Sequence, residues 1–382
     1  MLLIQNGTLY TMESDRPFRG DLLIKDGKIA AVGGSIPPAE GMEVFDAQGL
    51  SVFPGFIDAH SHIGVAEEKS TPLQDPSNEG TTPLTPQIRA IDGINPMDSA
   101  FHNALAAGIT GVMVGPGSAN PIGGQFAFLK TYGRRVDDMV VLAPAAIKIA
   151  FGENPMNNYG SNGNLPSTRM GTAALIREEL FRARAYLEEN GPMDFRLESY
   201  RPLFEGKIPL KAHVHRADDI FTAIRIAQEF GLGLTLDHCT EGHLIAEDIA
   251  ASGYPAIVGP SLASRTKDEV RLSDFKTPGM LHKAGVPVAL TTDHPVSRIQ
   301  YLPLCAGLAK KEGLPEEAAL RAITLEAARI CRVDQRLGSL TVGKDGDLVI
   351  FDGSPLEIFS TLRATVINGI IVWPRPAHGG DS

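Results

Sequence analysis

Between residues 209 and 291, short apolar segments alternate with longer segments of helical periodicity. The clearest helix is predicted at 217–230, where apolar residues recur every three or four positions and Gly231 follows as a stop signal. Strands are predicted on either side of this helix, at 209–212 and 232–236. Such alternation is typical of parallel βα units, because two parallel strands need a long crossover that is usually helical. The fold class is therefore predicted as α/β.

The number of strands decides which α/β fold this alternation builds. Further strands are predicted at 109–114, 145–150, 255–258 and 287–291. No third strand is assigned between Gln125 and Ala143. Closure into a (β/α)8 TIM-like barrel is therefore inferred from the overall pattern and from the length of the chain.

The two ends of the chain differ from its middle. Residues 1–52 contain short strand-like segments and tight turns, among them Asp26-Gly27, a two-residue hairpin signal. The C-terminal segment has the same pattern of short strand-like segments and turns, and Asn368-Gly369 is its clearest turn. We expect residues 1–52 and 335–382 to meet in one small accessory β-sandwich domain. Residues 53–334 would then form the catalytic barrel.

Composition argues against some classes of partner. The 35 Lys and Arg residues against 45 Asp and Glu leave no basic excess that would neutralise nucleic-acid phosphates. The three cysteines, Cys239, Cys305 and Cys331, are too few and too scattered for a disulfide framework, which favours a reducing compartment. Neither a signal peptide nor a transmembrane run is recognisable. We expect a cytoplasmic protein with a small-molecule substrate and no nucleic-acid or membrane partner; a homo-oligomer is compatible with the sequence.

One apolar segment leads directly into two histidines, His60 and His62. In an extended backbone, residues two positions apart project from the same face, so both imidazoles can reach one metal ion. Barrel enzymes place their sites at the carboxyl ends of the strands, where this pair would lie. The alternative is two ordinary surface histidines in a loop, which the preceding Pro-Gly-Phe-Ile-Asp disfavours.

Residues 55–62, Gly-Phe-Ile-Asp-Ala-His-Ser-His, resemble the opening motif of the amidohydrolase superfamily. Residues 338–350 resemble the segment with which that family returns to its accessory β-sandwich. The resemblance spans essentially the whole chain and is nearest to imidazolonepropionases and dipeptidase-like members. It implies hydrolysis of a C–N bond in a cyclic amide, an imidazolone-like ring or an N-acyl compound by a metal-activated hydroxide. The alternatives are a metallodipeptidase and a non-catalytic scaffold homologue.

The resemblance also implies metal ligands on later strands. His213 matches the family's fifth-strand ligand and His238 the ligand on the following strand, and neutral imidazoles suit zinc. His215 lies on the same face as His213; His213 is the favoured ligand, with His215 facing the substrate. Asp293 resembles the eighth-strand aspartate, which touches the metal and carries the reaction proton.

The fourth-strand ligand stays open between two residues. Lys148 lies inside an apolar strand, where burial would lower the pKa of its amine and leave it able to add CO₂. A carboxylated Lys148 would bridge two metal ions, as in many members of the family. Glu153, just past the same strand, is the other candidate. One or two divalent ions are expected, with zinc favoured.

The remaining predictions concern the substrate. Residues 115–125 form a Gly-rich segment whose N–H groups would suit a carboxylate, and Gln125 ends it. Arg169 and Arg216 are candidate anchors for an anionic substrate, and His294 beside the catalytic aspartate is a candidate contact. Each of these residues has an ordinary structural or surface role as its alternative.

Overall fold

The computed structural model describes residues 1–14, 16–68, 76–189 and 192–374; the end of the predicted accessory domain, 375–382, lies outside them. Its strands are β1 Leu2–Leu9, β2 Phe18–Lys25, β3 Lys28–Gly33, β4 Glu43–Asp46, β5 Ser51–Pro54, β6 Phe56–Ser61, β7 Ile109–Val114, β8 Ile122–Lys130, β9 Val140–Ala150, β10 Leu210–Val214, β11 Leu234–His238, β12 Ala256–Val258, β13 Val288–Leu290, β14 Leu348–Phe351, β15 Leu362–Ile367 and β16 Ile370–Trp373. These strands form two sheets, each of eight strands.

The helices cover mainly the barrel. They are α1 Ser99–Ala106, α2 Val136–Met139, α3 Glu153–Gly160, α4 Arg169–Glu189, α5 Phe195–Glu198, α6 Arg201–Phe204, α7 Ala217–Phe230, α8 Ala246–Ser252, α9 Lys276–Lys283, α10 Leu302–Lys311, α11 Glu316–Ala322 and α12 Leu325–Ile330. Short 3₁₀ turns lie at Ala90–Asp92, Gly242–Leu244, Asp268–Val270 and Ile299–Tyr301. Among the described helices, none combines the length and apolar character needed to cross a membrane.

The first sheet runs in chain order from β6 to β13 and curls into a nearly closed barrel. Its first and last strands approach each other, and the backbone N–H of His62 donates to the carbonyl of His294 at 2.9 Å. Helix α7 has the bounds predicted from the sequence, buries its apolar face and ends at Gly231, whose φ is +66°. The α/β prediction is therefore confirmed for this sheet.

The third strand departs from a regular (β/α)8 barrel. Strand β8 pairs antiparallel with both β7 and β9, whereas the other neighbouring pairs are parallel. The connections at 115–121 and 131–139 contain no more than the short helix α2. They are too short for the crossover that parallel pairing requires. The expectation of a parallel strand at every position was wrong here.

Both ends of the chain share the second sheet, with strand order β16-β15-β14-β5-β1-β2-β3. Along one edge, strand β1 pairs with β4 over its first half and with β5 at its end. The predicted turns are confirmed, since Asp26-Gly27 and Asn368-Gly369 all have positive φ. The two ends form one continuous sheet, and a separate two-sheet sandwich is not confirmed.

A group of charged side chains, of which Lys130, Asp345 and Asp347 are buried, joins the two sheets. Lys130, at the end of β8, lies 2.7 Å from a carboxylate oxygen of Asp345 and 3.0 Å from one of Asp347. Asp345 also pairs with Lys28 and, at 2.8 Å, with Arg336. We call these five residues the junction cluster.

Candidate metal centre

Imidazole, amine and carboxylate groups converge at the carboxyl ends of the barrel strands. We call this set the ligand cluster; it comprises His60, His62, Lys148, His213, His215, His238 and Asp293. Within it, the ligand atoms of His213, His215 and His238 lie within 4.8 Å of one another, as do those of His60, His238 and Asp293. The two groups share His238, so the cluster is one continuous centre.

Asp58 fixes the position of the first strand against the last. Its buried carboxylate accepts from the hydroxyl of Thr291 at 2.7 Å and from the N–H and hydroxyl of Thr292 at 3.1 and 2.5 Å. Burial raises the pKa of Asp58 to about 6, while these hydrogen bonds oppose the shift. The contacts hold the His60 segment beside Asp293, although the two are far apart in sequence.

Two residues of the ligand cluster have unusual backbone conformations. His238 has φ +70° and Asp293 has φ +52°, both in the left-handed region that residues other than glycine seldom adopt. Such strain persists only where surrounding contacts determine the backbone, and it collects at functional sites. One such contact is the N–H of Asp293, which donates to the Thr291 hydroxyl at 2.9 Å.

Four of the histidines use one ring nitrogen to contact the protein frame. The Nδ1 contacts are His60 to Asp237 at 2.8 Å, His62 to the Gly115 carbonyl at 2.8 Å, His215 to the Thr240 hydroxyl at 2.8 Å and His238 to the Gly259 carbonyl at 2.7 Å. A neutral imidazole that donates from Nδ1 presents the lone pair of Nε2 on its other side. These Nδ1 contacts therefore orient the four rings so that Nε2 can bind a metal ion, as supporting hydrogen bonds do for metal-bound histidines.

The Nε2 atoms of the first-strand histidines face Asp293 and Lys148. Asp293 Oδ1 lies 3.2 Å from His62 Nε2 and 3.5 Å from His60 Nε2, and Lys148 Nζ lies 3.3 Å from His60 Nε2. Burial, followed by the positive charges of Lys148 and Lys211, holds the pKa of His60 well below its usual value. The ring is therefore in the neutral form that binds metals.

Lys148 is fully buried, as the sequence predicted, and its pKa is lowered to about 8, mainly by burial. Among the described residues, no carboxylate forms an ion pair with it; its amine contacts the His60 ring. The lowered pKa increases the fraction of neutral amine, which is the form that reacts with CO₂.

Glu153 lies outside both ligand groups. Its carboxylate accepts from the backbone N–H of Glu269 at 3.1 Å, and its own N–H donates to the Glu269 carboxylate at 2.8 Å. This reciprocal contact closes the loop after β9 onto the loop after β12. The geometry therefore favours Lys148 as the fourth-strand group.

The donor set fits a divalent metal ion. His213 Nε2 is buried and has no hydrogen-bond partner in the described part of the chain. A buried nitrogen without a partner costs free energy unless a bound group such as a metal ion contacts it. Neutral imidazoles with one carboxylate are the donors that zinc and similar ions take. His213 and His215 both stay candidates, since their ring centroids lie 4.5 and 4.9 Å from that of His238.

The predicted substrate contacts fall in different places. His215 and Arg169 lie at the ligand cluster: His215 Nε2 is 3.9 Å from the Glu269 carboxylate, and so is Arg169 Nη2, while Arg169 Nε also donates to Asp219 at 3.0 Å. His294 is beside the cluster but fully buried, and its Nδ1 accepts from the backbone N–H of Ile299.

The other two substrate predictions lie outside the ligand cluster. Arg216 pairs with its neighbour Asp218 at 2.9 Å and is partly exposed. Gln125 donates to the Pro86 carbonyl at 3.3 Å and lines a cavity of about 550 Å³ with Phe195 and Ser199. None of the ligand-cluster residues lines that cavity.

Several residues at the site were not identified from the sequence. They are Asp58, Lys211, Asp237, Lys267 and Glu269. Asp58 and Asp237 did carry a signal, because each lies one or two positions before a predicted ligand on the same strand. Glu269 carried none, because it lies on a 3₁₀ turn beyond β12 and reaches the site only through the fold.

Comparison with known proteins agrees with this geometry. A family model described as "Amidohydrolase family" matches residues 245–373. The crystal structure of an amidohydrolase from Thermotoga maritima is 41% identical in sequence, has a TM-score of 0.94 and aligns over 98% of this chain and 100% of that one. The chain belongs to the amidohydrolase superfamily. This confirms the resemblance found in the sequence, to a superfamily of hydrolases that act on amide C–N bonds.

Two curated relatives are more distant. Amidohydrolase tasK of Hapsidospora irregularis is 28% identical over 98% of this chain, which spans only 43% of that protein. An imidazolonepropionase of Cupriavidus pinatubonensis is 26% identical, covering 96% of this chain and 93% of that protein. These relatives support an imidazolonepropionase-like amidohydrolase without specifying the substrate.

Proposed function

We propose that the protein is a metal-dependent amidohydrolase that hydrolyses a C–N bond in a small molecule. The observation that carries the proposal is the orientation of His60 and His62, whose Nδ1 atoms contact Asp237 and the Gly115 carbonyl while their Nε2 atoms face Asp293 and, for His60, also Lys148. The proposed catalytic unit is the barrel of residues 53–334, with residues 1–52 and 335–382 as its accessory part.

The proposed metal ligands are His60, His62, Lys148, His238, Asp293 and one or both of His213 and His215. We infer that the neutral fraction of the Lys148 amine would add CO₂ with release of one proton, and that the resulting carbamate would supply an anionic donor to the bound metal, for which zinc is the proposed ion. A divalent ion at this position polarises the scissile carbonyl and lowers the pKa of water.

Asp293 is the proposed proton carrier. Burial alone would raise its pKa, but His238, His62 and Lys148 lower it below the usual value, so the carboxylate is ionised at neutral pH. It accepts a proton from the attacking water and returns it to the leaving nitrogen as the C–N bond breaks. The products are a carboxylic acid and an amine, or one chain carrying both groups when the substrate is cyclic.

The rim of the site favours a substrate that carries a carboxylate. Lys267 lies 2.5 Å from the buried carboxylate of Glu269, which Arg169 also approaches. The two cationic side chains are partly exposed, whereas Glu269 and the Asp219 partner of Arg169 are buried beneath them. The more exposed members of these two ion pairs are therefore the cationic ones. Cyclic amides, imidazolone-like rings and N-acyl amino acids with a free carboxylate are the proposed substrates.

The first experiment is elemental analysis of protein purified without added metal. The wild type is compared with His60→Ala/His62→Ala and with a matched control, His102→Ala/His282→Ala, whose two histidines are exposed and outside the site. We expect one or two divalent ions per chain in the wild type and in the control, and loss of metal in the site variant.

A substrate panel completes the test of function. Cyclic amides, N-acyl amino acids and dipeptides are offered to the wild type and to both double variants. Hydrolysis of cyclic or N-acyl compounds supports the proposal, and hydrolysis of dipeptides alone would replace it with a metallodipeptidase. A wild type that binds no metal after zinc, manganese or iron is supplied would refute it in favour of a scaffold.

A further inference from the structure

We propose that Asp237 and Lys211 are positioning residues, which hold His60 in the orientation and tautomer that metal binding requires. The inference rests on the proposed metal centre. It concerns two side chains that are not themselves in the ligand cluster and that no sequence prediction singled out.

The contacts form a chain from the neighbouring strands β10 and β11 to β6, which lies at one end of the sheet order. Asp237 Oδ2 lies 2.8 Å from His60 Nδ1, and Asp237 Oδ1 accepts from Lys211 Nζ at 3.1 Å and from the Thr235 hydroxyl at 3.0 Å. Lys211 Nζ also donates to the carbonyl of Ala59 at 3.0 Å. The side chains of His60, Asp237 and Lys211 are at most 2% exposed.

The carboxylate determines which ring nitrogen carries the proton. An ionised carboxylate only accepts hydrogen bonds, so the contact with Asp237 requires a proton on His60 Nδ1. The lone pair is then on Nε2, the nitrogen that lies 3.3 Å from Lys148 Nζ and 3.5 Å from Asp293 Oδ1. A ring without this acceptor can adopt either tautomer and rotate.

Lys211 provides that buried carboxylate with a cationic hydrogen-bond donor at 3.1 Å. A buried charge is tolerated only with a partner and with its remaining hydrogen-bonding capacity satisfied, and the ammonium of Lys211 provides both. The contact between Lys211 and Ala59 also ties β10 to the residue that precedes His60 in the chain. Lys211 therefore positions the backbone as well as the ring of this histidine.

The experiment measures metal binding directly. The main variant is Asp237→Leu/Lys211→Met, which removes both charges together and so avoids an unpaired buried ion. Asp237→Asn, which keeps the size of the side chain, is the second variant if the double replacement does not fold. Thr235→Val is the matched control, because Thr235 contacts the same carboxylate oxygen without a charge. Thermal melting establishes that each protein is folded.

Zinc affinity is measured by competition with a chelator, and the visible spectrum of the Co²⁺-substituted protein reports the ligand geometry. We expect the double variant to bind Zn²⁺ about 10- to 100-fold more weakly, which is typical for loss of a carboxylate behind a metal-bound histidine, and to show an altered Co²⁺ spectrum. Asp237→Asn should change both in the same direction, and Thr235→Val should change neither by more than about threefold.

Two results would overturn the inference in distinguishable ways. A folded double variant with wild-type Zn²⁺ affinity and an unchanged Co²⁺ spectrum would show that Asp237 and Lys211 only fill space, while the metal centre stands. A wild type that binds neither ion would refute the proposed metal centre, and this inference with it.

Discussion

The ligand cluster and the centre of the junction cluster, Lys130, Asp345 and Asp347, are both buried groups of ionisable side chains, yet their charges are paired differently. In the junction cluster, Lys130 contacts both Asp345 and Asp347, and Asp345 has two further cationic partners. In the ligand cluster, Lys148 forms no ion pair with a described carboxylate and contacts an imidazole instead. The two lysines lie on adjacent strands of one barrel, so burial by itself does not determine what a charged residue does.

The difference in charge pairing predicts that one cluster contributes to stability and the other to function. Breaking a well-paired buried cluster leaves uncompensated charges and lowers the free energy of unfolding. Groups that are buried without partners already cost stability, and they persist where a ligand or a reaction needs them. We therefore expect substitutions in the junction cluster to change stability and substitutions in the ligand cluster to change activity.

The largest effect is expected for Asp293→Asn. Amide replacement removes the proton acceptor while keeping its size, so kcat/KM on a confirmed substrate should fall by about 10²- to 10⁴-fold. Steady-state kinetics and metal analysis of the same sample provide the measurement, and the variant should keep at least part of its metal. Full activity in this variant would rule out the proton-transfer role of Asp293.

Asp345→Asn should act on stability instead. It removes the carboxylate that pairs with Arg336 and leaves the buried Lys130 with Asp347 alone, and we expect the free energy of unfolding to fall by about 3–5 kcal/mol. Urea denaturation measures this, with activity determined at a temperature where the variant is folded. Asp92→Asn is the control, because its partner Arg89 is exposed and such pairs contribute about 1 kcal/mol or less. A variant with wild-type stability would contradict the contrast between the two clusters.

Acid should weaken the junction cluster in a defined window. Burial opposes ionisation of Asp345, but hydrogen bonds from Lys130, Lys28 and Arg336 prevail and lower its pKa to about 2 from a reference value of 3.8. Because the folded-state pKa is depressed, the stabilisation is fully present above pH 4 and is lost as the pH falls towards 2. It amounts to about 2 kcal/mol.

Urea titrations of the wild type and of Asp345→Asn at several pH values measure this contribution. The difference in stability between the two proteins should narrow by that amount on acidification. A difference that stays constant between pH 5 and pH 2.5 would show that Asp345 does not titrate in this window.

The smallest effect on stability is expected for Lys148→Met. The replacement fills the same space without a buried amine, so the free energy of unfolding should stay within about 1 kcal/mol of the wild type or rise, while hydrolysis is lost. Thermal melting of the metal-free proteins gives the comparison. Lys130→Met is the matched variant on the neighbouring strand and should be clearly destabilised. Equal destabilisation of both variants would break the distinction between the clusters.

Several site residues were predictable because their signals are local. The spacing of His60 and His62 on one strand, the position of Asp293 after the last strand and the apolar surroundings of Lys148 can all be read from a few neighbouring residues. The same holds for α7 and for the Asp26-Gly27 and Asn368-Gly369 turns. Periodicity, turn chemistry and side-chain direction along a strand act over short distances in the chain. The structure confirms the helix and both turns, and it brings the four predicted site side chains together.

The sequence by itself determined the α/β alternation, the strand that leads into His60 and His62, and membership of the amidohydrolase superfamily. Only the tertiary structure decided that β8 runs antiparallel, because connection length and closure of the barrel settle strand direction together. Only the fold likewise brought Asp237 to His60, which lies 177 positions away in the chain, and Glu269 to His213. Pairing between buried charges depends on which distant strands become neighbours, and no short stretch of sequence contains that information.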